Sequence, residues 1–134
     1  MRTHFSPKNN PRVIIIQKLY GKFYNKDDIL NFPKHRFKKF IKDIVMGTIE
    51  RDELIVDELN AKLGNDFVFE KLDRVFQTIL KAATYEFMYK PQLSLNIIIK
   101  EYLDTSNFFL ENSQTKYLNA LLDNVGRKLR SKNA

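Results

Sequence analysis

Hydrophobic residues recur along most of this chain at intervals of three or four, which is the spacing of one face of an α-helix. The most regular series lies in the middle of the sequence and consists of Leu72, Val75, Phe76, Ile79, Leu80, Ala83 and Phe87. A series of this length predicts a buried central helix. Pro91, directly after Lys90, is expected to end it, because proline cannot continue the helical hydrogen-bond pattern.

Comparable series predict further helices on both sides of the central one. They are Val13, Ile16, Leu19, Tyr20 and Phe23; Phe37, Phe40, Ile41, Ile44, Val45 and Thr48; Leu54, Ile55, Leu59 and Leu63; Leu95, Ile98, Ile99, Tyr102 and Leu103; and Tyr117, Leu118, Leu121, Leu122, Val125 and Leu129. Residues 13–16 are β-branched and compatible with a strand, but the continuing pattern favours a helix. The predicted fold is all-α, a compact single-domain bundle of about six or seven helices.

Polar and turn-forming residues predict where the helices are connected. Residues 1–10 are predicted to form a mobile arm, and residues 25–34 and 107–114 are predicted to be loops. Residues 64–66, Gly-Asn-Asp, are expected to end one helix and begin the next. Gly47 lies within a helical pattern, which indicates that two helices cross closely there.

Composition narrows the classes of partner. The chain has 134 residues, with 23 basic and 16 acidic side chains and a net charge of +7. This surplus favours nucleic acid or another polyanion over the alternative of a basic but inert surface. The absence of cysteine excludes disulfides and thiolate chemistry and is compatible with the cytoplasm. No apolar run approaches the roughly 20 residues that span a membrane, so no membrane association is expected.

The residues that enzymes commonly use do not occur here in useful patterns. The four glycines are too far apart for a phosphate-binding loop, and His4 and His35 have no partner at metal-ligand spacing. The acidic pairs at residues 27–28 and 52–53 point in different directions on a helix, so capping or solvated roles are favoured. The sequence therefore predicts neither an enzyme nor a bound metal or cofactor.

The last helix contains a combination that suits unpaired RNA. Lys116, Tyr117 and Asn119 supply a charge, an aromatic face and an amide within one short stretch. The alternative is that Tyr117 belongs to the core, since it shares a stripe with Leu121, and composition alone slightly favours this alternative. Asp123 is expected to pair with Arg127 at i,i+4, but it could also accept a hydrogen bond from a base. The arm and first helix add spaced cations: Arg2, Lys8, Arg12, Lys18 and Lys22.

Three further polar residues lie in otherwise apolar helical segments. Tyr85 and Glu86 lie just off the central hydrophobic stripe, and Glu101 follows three consecutive isoleucines. Each is either an internal hydrogen-bonding group or a contact for a basic partner protein. Considered alone, these residues favour the structural role.

Five segments, in this order, resemble the NusB family of bacterial transcription antitermination factors. They are Gln-Lys-Leu-Tyr at 17–20, the segment 40–47, the Leu-Lys-Ala-Ala-Thr-Tyr-Glu-Phe segment at 80–87, Ile-Lys-Glu at 99–101 and Tyr-Leu-Asn-Ala-Leu-Leu-Asp at 117–123. The last segment is the most specific. The sequence departs from the family pattern at Ser94, Lys100 and Ala120, where the family usually has Pro, Asn and Gly. The arginine-rich start that is typical of the family is also reduced in this sequence.

The resemblance implies an all-helical RNA-binding factor without a cofactor. Family members pair with NusE, a small-subunit ribosomal protein, and together they bind the single-stranded boxA element of nascent ribosomal RNA. This complex joins elongating RNA polymerase and other Nus factors and suppresses premature termination. The residues carried over for RNA binding are Arg12, Lys116, Tyr117, Asn119 and Asp123. Those carried over for the protein partner are Tyr85, Glu86 and Glu101.

Two alternatives to this function follow from the sequence. A NusB-like domain also begins some ribosomal RNA cytosine methyltransferases, in which case this chain would be a fragment, because it ends at Ala134 without a cofactor-binding domain. The other alternative is an interaction scaffold that binds only proteins and whose basic charge is incidental.

Overall fold

The computed structural model describes residues 9–131, which form six α-helices and one short 3₁₀ turn. The helices are α1 (Pro11–Tyr24), α2 (Lys38–Glu50), α3 (Asp52–Leu63), α4 (Arg74–Tyr89), α5 (Leu95–Ser106) and α6 (Asn112–Leu129), and the 3₁₀ turn is Phe69–Lys71. No strand occurs in this range. The predicted all-α fold is therefore confirmed.

Helix α4 is the centre of the bundle and contacts each of the other five helices. All twelve of its residues from Phe76 to Phe87 are buried, as the hydrophobic series predicted. Two of its buried polar side chains have partners that are distant in the sequence or irregular in structure: Lys81 Nζ lies 2.7 Å from an Asp52 carboxylate oxygen, and Gln77 donates to the Phe69 carbonyl at 3.0 Å. Pairing of this kind makes polar groups tolerable in the interior.

Several predicted boundaries differ from the structure. Asn10 is buried and accepts hydrogen bonds from the Arg12 and Val13 N–H groups, so it caps α1 rather than belonging to an arm. Residues 1–8 of the predicted arm lie outside the described residues. Asp66 was expected to begin a helix, but an irregular segment that includes the 3₁₀ turn follows it, and α4 begins only at Arg74. Gly64 does end α3, with a positive φ of 89° that favours glycine.

Helix α6 begins at Asn112, inside the segment that was predicted to be a loop. The Glu111 N–H group donates to the Gln114 side-chain oxygen at 3.1 Å, which stabilises the first turn. The prediction failed here because these residues are polar and α6 packs only its later turns, from Leu118 onward, into the core.

Gly47 marks a close helix crossing, as predicted. A Cβ atom at this position would collide with the ring and hydroxyl of Tyr85 on α4. The absence of a side chain therefore lets α2 approach α4 and cover Tyr85.

The C-terminal end of α6 is fastened to the end of α4 by Arg130. Its guanidinium donates to the carbonyls of Phe87 at 3.0 Å, Lys90 at 2.9 Å and Leu93 at 2.6 Å. This cation lies at the end of α6 but satisfies carbonyls at the end of α4 and in the following turn. Burial lowers the pKa of Arg130.

Candidate nucleic-acid interface

Tyr117 lies on the surface of α6 and presents an aromatic face to solvent. Its side chain is 48% exposed, whereas its neighbour Leu118 is fully buried. The ring centroids of Tyr117 and Phe76 are 5.6 Å apart with an interplanar angle of 34°, so Phe76 supports the tyrosine from below. The alternative that Tyr117 is a core residue is wrong, because the buried stripe of α6 runs through Leu118 and Leu121 and leaves Tyr117 at its edge.

Lys116 and Asn119 are also exposed on α6, on either side of Tyr117 in the sequence. Asp123 follows one turn after Asn119, and its carboxylate accepts a hydrogen bond from Arg127 Nε at 2.9 Å. The expected i,i+4 pair is therefore confirmed. Phe76, Lys116, Tyr117 and Asn119 form what we call the Tyr117 surface: an aromatic ring held from behind by Phe76, with an exposed cation and an exposed amide in the same turn of α6.

The start of α4 joins this surface to the end of α1. Phe76 contacts Tyr117, while Arg74, two residues earlier, lies over the ring of Tyr24 with 4.9 Å between its guanidinium carbon and the ring centroid. Tyr24 in turn lies 5.1 Å from the ring of Tyr20. Analysis of the sequence did not identify Tyr24 or Arg74, because they are far apart in the chain and only the packing of α1 against α4 brings them together.

Arg12 does not lie with the other RNA-binding candidates. It is only 7% exposed, and its guanidinium binds both oxygens of the Glu86 carboxylate, at 2.7 and 3.1 Å. The Tyr102 hydroxyl donates to the same carboxylate, and Arg12 also lies over the Tyr102 ring. We call Arg12, Glu86 and Tyr102 the buried ion cluster. Phe76 and Glu86 are ten residues apart on α4, so this cluster lies about 15 Å along the helix from Phe76.

The electrostatics of the cluster keep its charges fixed. Burial opposes ionisation of Arg12, but its interactions with Tyr102, Glu86 and Glu101 outweigh burial and raise its pKa. The pKa of Tyr102 is raised well above its usual value, first by complete burial and then by the negative charge of Glu86. Arg12 therefore stays charged and Tyr102 stays protonated, and each satisfies the buried carboxylate.

The three candidates for partner binding differ in exposure. Glu86 is fully buried in the ion cluster, and Tyr85 is 7% exposed beneath Gly47, where burial and then the charge of Asp43 raise its pKa. Glu101 has a side chain that is 34% exposed, and it lies 3.7 Å from an Arg12 nitrogen at the edge of the cluster. Of the three, only Glu101 has substantial contact with solvent.

The described residues show neither a metal-binding group nor a membrane span. No set of three or more His, Asp or Glu side chains between residues 9 and 131 is arranged to hold a metal ion. No helix in this part of the chain is both long and apolar enough to cross a membrane.

The fold and surface together define an all-α domain with an exposed aromatic and basic site. The NusB family profile matches residues 9–127, so the chain belongs to the NusB family.

Curated relatives carry the same name. The transcription antitermination protein NusB of Sphingopyxis alaskensis is 32% identical over 93 residues, covering 69% of this chain and 62% of the relative. That of Novosphingobium aromaticivorans is 34% identical over 91 residues, covering 68% and 62%. The match thus spans just under two thirds of the length of these relatives.

A solved structure of T. maritima NusB has the same fold. It superposes with a TM-score of 0.79 and covers 99% of this chain and 97% of the other, at 19% sequence identity.

Proposed function

We propose that this chain is a transcription antitermination factor that binds single-stranded RNA jointly with a ribosomal protein. The observation that carries the proposal is the exposed Tyr117 ring, which Phe76 supports and which lies in the same turn of α6 as the exposed Lys116 and Asn119. The relatives' name, transcription antitermination protein NusB, supports the same function. The proposed RNA is the boxA element of nascent ribosomal transcripts, and the proposed partner is NusE.

The Tyr117 surface supplies the three contacts that an unpaired nucleotide requires. One base stacks on the exposed face of Tyr117, which Phe76 holds in place before RNA arrives, so little order is lost on binding. The Asn119 amide reads the edge of that base, and Lys116 neutralises a phosphate. Tyr24 and Arg74, at the junction of α1 and α4, are placed to contact a neighbouring nucleotide.

The proposed protein partner binds at Glu101 on α5. A basic ribosomal protein suits this half-exposed carboxylate, and Ile97, one turn earlier on the same helix, is 51% exposed and offers an apolar contact. Tyr85 and Glu86 support this surface from the interior. The complex then holds RNA on the elongating polymerase with other Nus factors, through binding alone and without a catalytic step.

The test is a titration of a labelled boxA-like oligonucleotide against the full chain, with and without NusE, at low and at physiological salt. A scrambled oligonucleotide of the same composition is the control. We expect boxA to bind more tightly than the scrambled sequence, NusE to strengthen binding, and salt to weaken it. Equal binding of both oligonucleotides under every condition would contradict the proposal and favour a scaffold that binds only proteins.

A further inference from the structure

A second basic surface lies between α1, α2 and the loop that joins them, and it shares no residue with the Tyr117 surface. It is a groove of about 370 Å³. Its apolar wall includes Ile14, Ile41 and Phe32, and its cations are Lys18, Lys34 and Lys38. We call it the α1–α2 groove.

The charge of this groove is not compensated by the described residues. None of the side chains that line it is acidic, and the adjoining cavity at His35 and Phe37 adds another cation, Arg36. No carboxylate of residues 9–131 lies within ion-pair distance of Lys18, Lys34 or Lys38. An acidic side chain, Asp28, lines a third cavity, which shares Ile14 and Lys18 with the groove.

The positive charges at the start of α2 are electrostatically unfavourable in the isolated protein. Lys38 and Lys39 lie in the first turn of α2, which contains no acidic residue, although the positive end of a helix disfavours cations. The Nζ atoms of Lys18 and Lys42 lie 5.4 and 6.0 Å from the centre of the Phe32 ring, and these attractive cation–π contacts hold positive charge beside the apolar wall. A bound anion with an apolar body would offset the repulsion and cover the apolar wall.

We propose that the α1–α2 groove binds an additional nucleotide of the same RNA, outside the segment that the Tyr117 surface holds. The base lies against Phe32 and the isoleucines, and its phosphates contact the lysines. RNA is favoured over an acidic peptide because α1 lines the groove and also meets, at Tyr24, the start of α4 that supports Tyr117. Lys18 faces the groove, while Tyr20, two residues later on the opposite side, faces the Tyr24–Arg74 junction. A single RNA strand that crosses α1 reaches both surfaces. This inference rests on the proposed function.

The experiment compares a short boxA-like oligonucleotide with versions that are extended by several uridines at either end. Three full-length proteins are used: wild type, the groove variant Lys34→Gln/Lys38→Gln, and a control variant Lys62→Gln/Lys100→Gln. The control removes the same two charges from exposed or half-exposed sites on α3 and α5. Thermal melting of each variant checks that the fold is retained.

We expect one of the extensions to strengthen binding to wild type and to the control but not to the groove variant. With the extended RNA, the slope of log affinity against log salt should fall by about 1.4 in the groove variant, since each lost phosphate contact contributes about 0.7. The short oligonucleotide should bind all three proteins to a similar extent. A groove variant that keeps the full gain from the extension would overturn the inference.

The possible outcomes distinguish a failure of this inference from a failure of the proposed function. If the short RNA binds through Tyr117 but no extension strengthens binding, the groove inference alone fails. If the short RNA does not bind, the proposed function fails and the inference fails with it. A third outcome is that poly-glutamate binds wild type but not the groove variant, while no RNA extension strengthens binding. This result would assign the groove to an acidic protein and overturn the inference.

Discussion

The buried ion cluster and the Tyr117 surface both consist of polar and aromatic side chains on amphipathic helices, yet the fold uses them in opposite ways. In the cluster, Arg12 Nε, Arg12 Nη2 and the Tyr102 hydroxyl all donate to one carboxylate, and Glu86 has no exposed area. At the surface, Tyr117 is supported on one face and leaves the other to solvent. A polar residue in an apolar helix is therefore a candidate for binding only when part of its side chain stays accessible to solvent.

The cluster also explains why α1 begins where it does. Asn10 caps the helix, and Arg12, in the first turn, joins it to α4. Since α4 contacts every other helix, this ion pair fixes the start of α1 relative to the whole bundle. The residues carried over as contacts for RNA and NusE thus include a pair that holds the scaffold together.

The largest expected effect is from Glu86→Gln. It leaves the buried Arg12 charge without its partner and should lower the free energy of unfolding by about 3–5 kcal/mol, measured by denaturant titration. The double variant Arg12→Met/Glu86→Leu is the control, and it should be closer to wild type because no buried charge is left unpaired, while Glu101 keeps its contact with solvent. A Glu86→Gln protein of normal stability that no longer binds NusE would instead make Glu86 a direct partner contact.

Tyr117→Ala should separate binding from folding. RNA binding should weaken by about 1–3 kcal/mol through the loss of base stacking. Stability should fall only by about 0.5–1.5 kcal/mol, the contribution of an aromatic pair such as Tyr117 with Phe76. Tyr117→Phe keeps the ring and should retain most of both. Unchanged RNA affinity together with a stability loss of about 3–5 kcal/mol would return Tyr117 to the core.

Tyr102→Phe should remove one donor to Glu86 and cost about 1–3 kcal/mol of stability at neutral pH. The pKa of Tyr102 is raised in the folded state, so its contribution is complete below the unfolded pKa of about 10 and is lost as the pH rises towards the folded pKa. Stability measured from neutral to alkaline pH should therefore decline less steeply above about pH 10 in the variant than in wild type. Parallel curves would contradict the role of the Tyr102 proton.

The pKa values of Tyr24 and Tyr85 are also raised, by burial above all. Their ionisation lowers stability at alkaline pH to the same extent in the wild type and in the Tyr102→Phe variant. Only the difference between the two curves reports on Tyr102.

Asp123→Asn is expected to have the smallest effect on stability. Asp123 and Arg127 form an exposed i,i+4 pair, which contributes about 0.5 kcal/mol or less. Melting should be nearly unchanged. If Asp123 also accepts a hydrogen bond from a base, the preference for boxA over the scrambled oligonucleotide should decrease in the same variant, whereas Arg127→Gln should leave that preference intact.

The helices of this protein could be predicted from the spacing of its hydrophobic residues. Its three-to-four spacing predicted the six α-helices and the burial of α4, because a helix that is covered on all sides must be apolar on most of them. Gly47 predicted a close crossing, and Lys116, Tyr117 and Asn119 were identified by chemistry alone. Boundaries at Asn10, Asp66 and Asn112 were less predictable, because capping depends on a few local hydrogen bonds rather than on periodicity.

Which polar residues are accessible depends on how the helices pack against one another. Tyr117 and Leu121 belong to one stripe in the sequence, yet in the folded bundle Leu121 is buried and Tyr117 is exposed. Arg12 and Glu86 are 74 positions apart, and no local pattern could reveal that their charges neutralise each other. The physical reason is that helical periodicity fixes which residues share a face, whereas exposure and ion pairing depend on the neighbouring helix that each face meets.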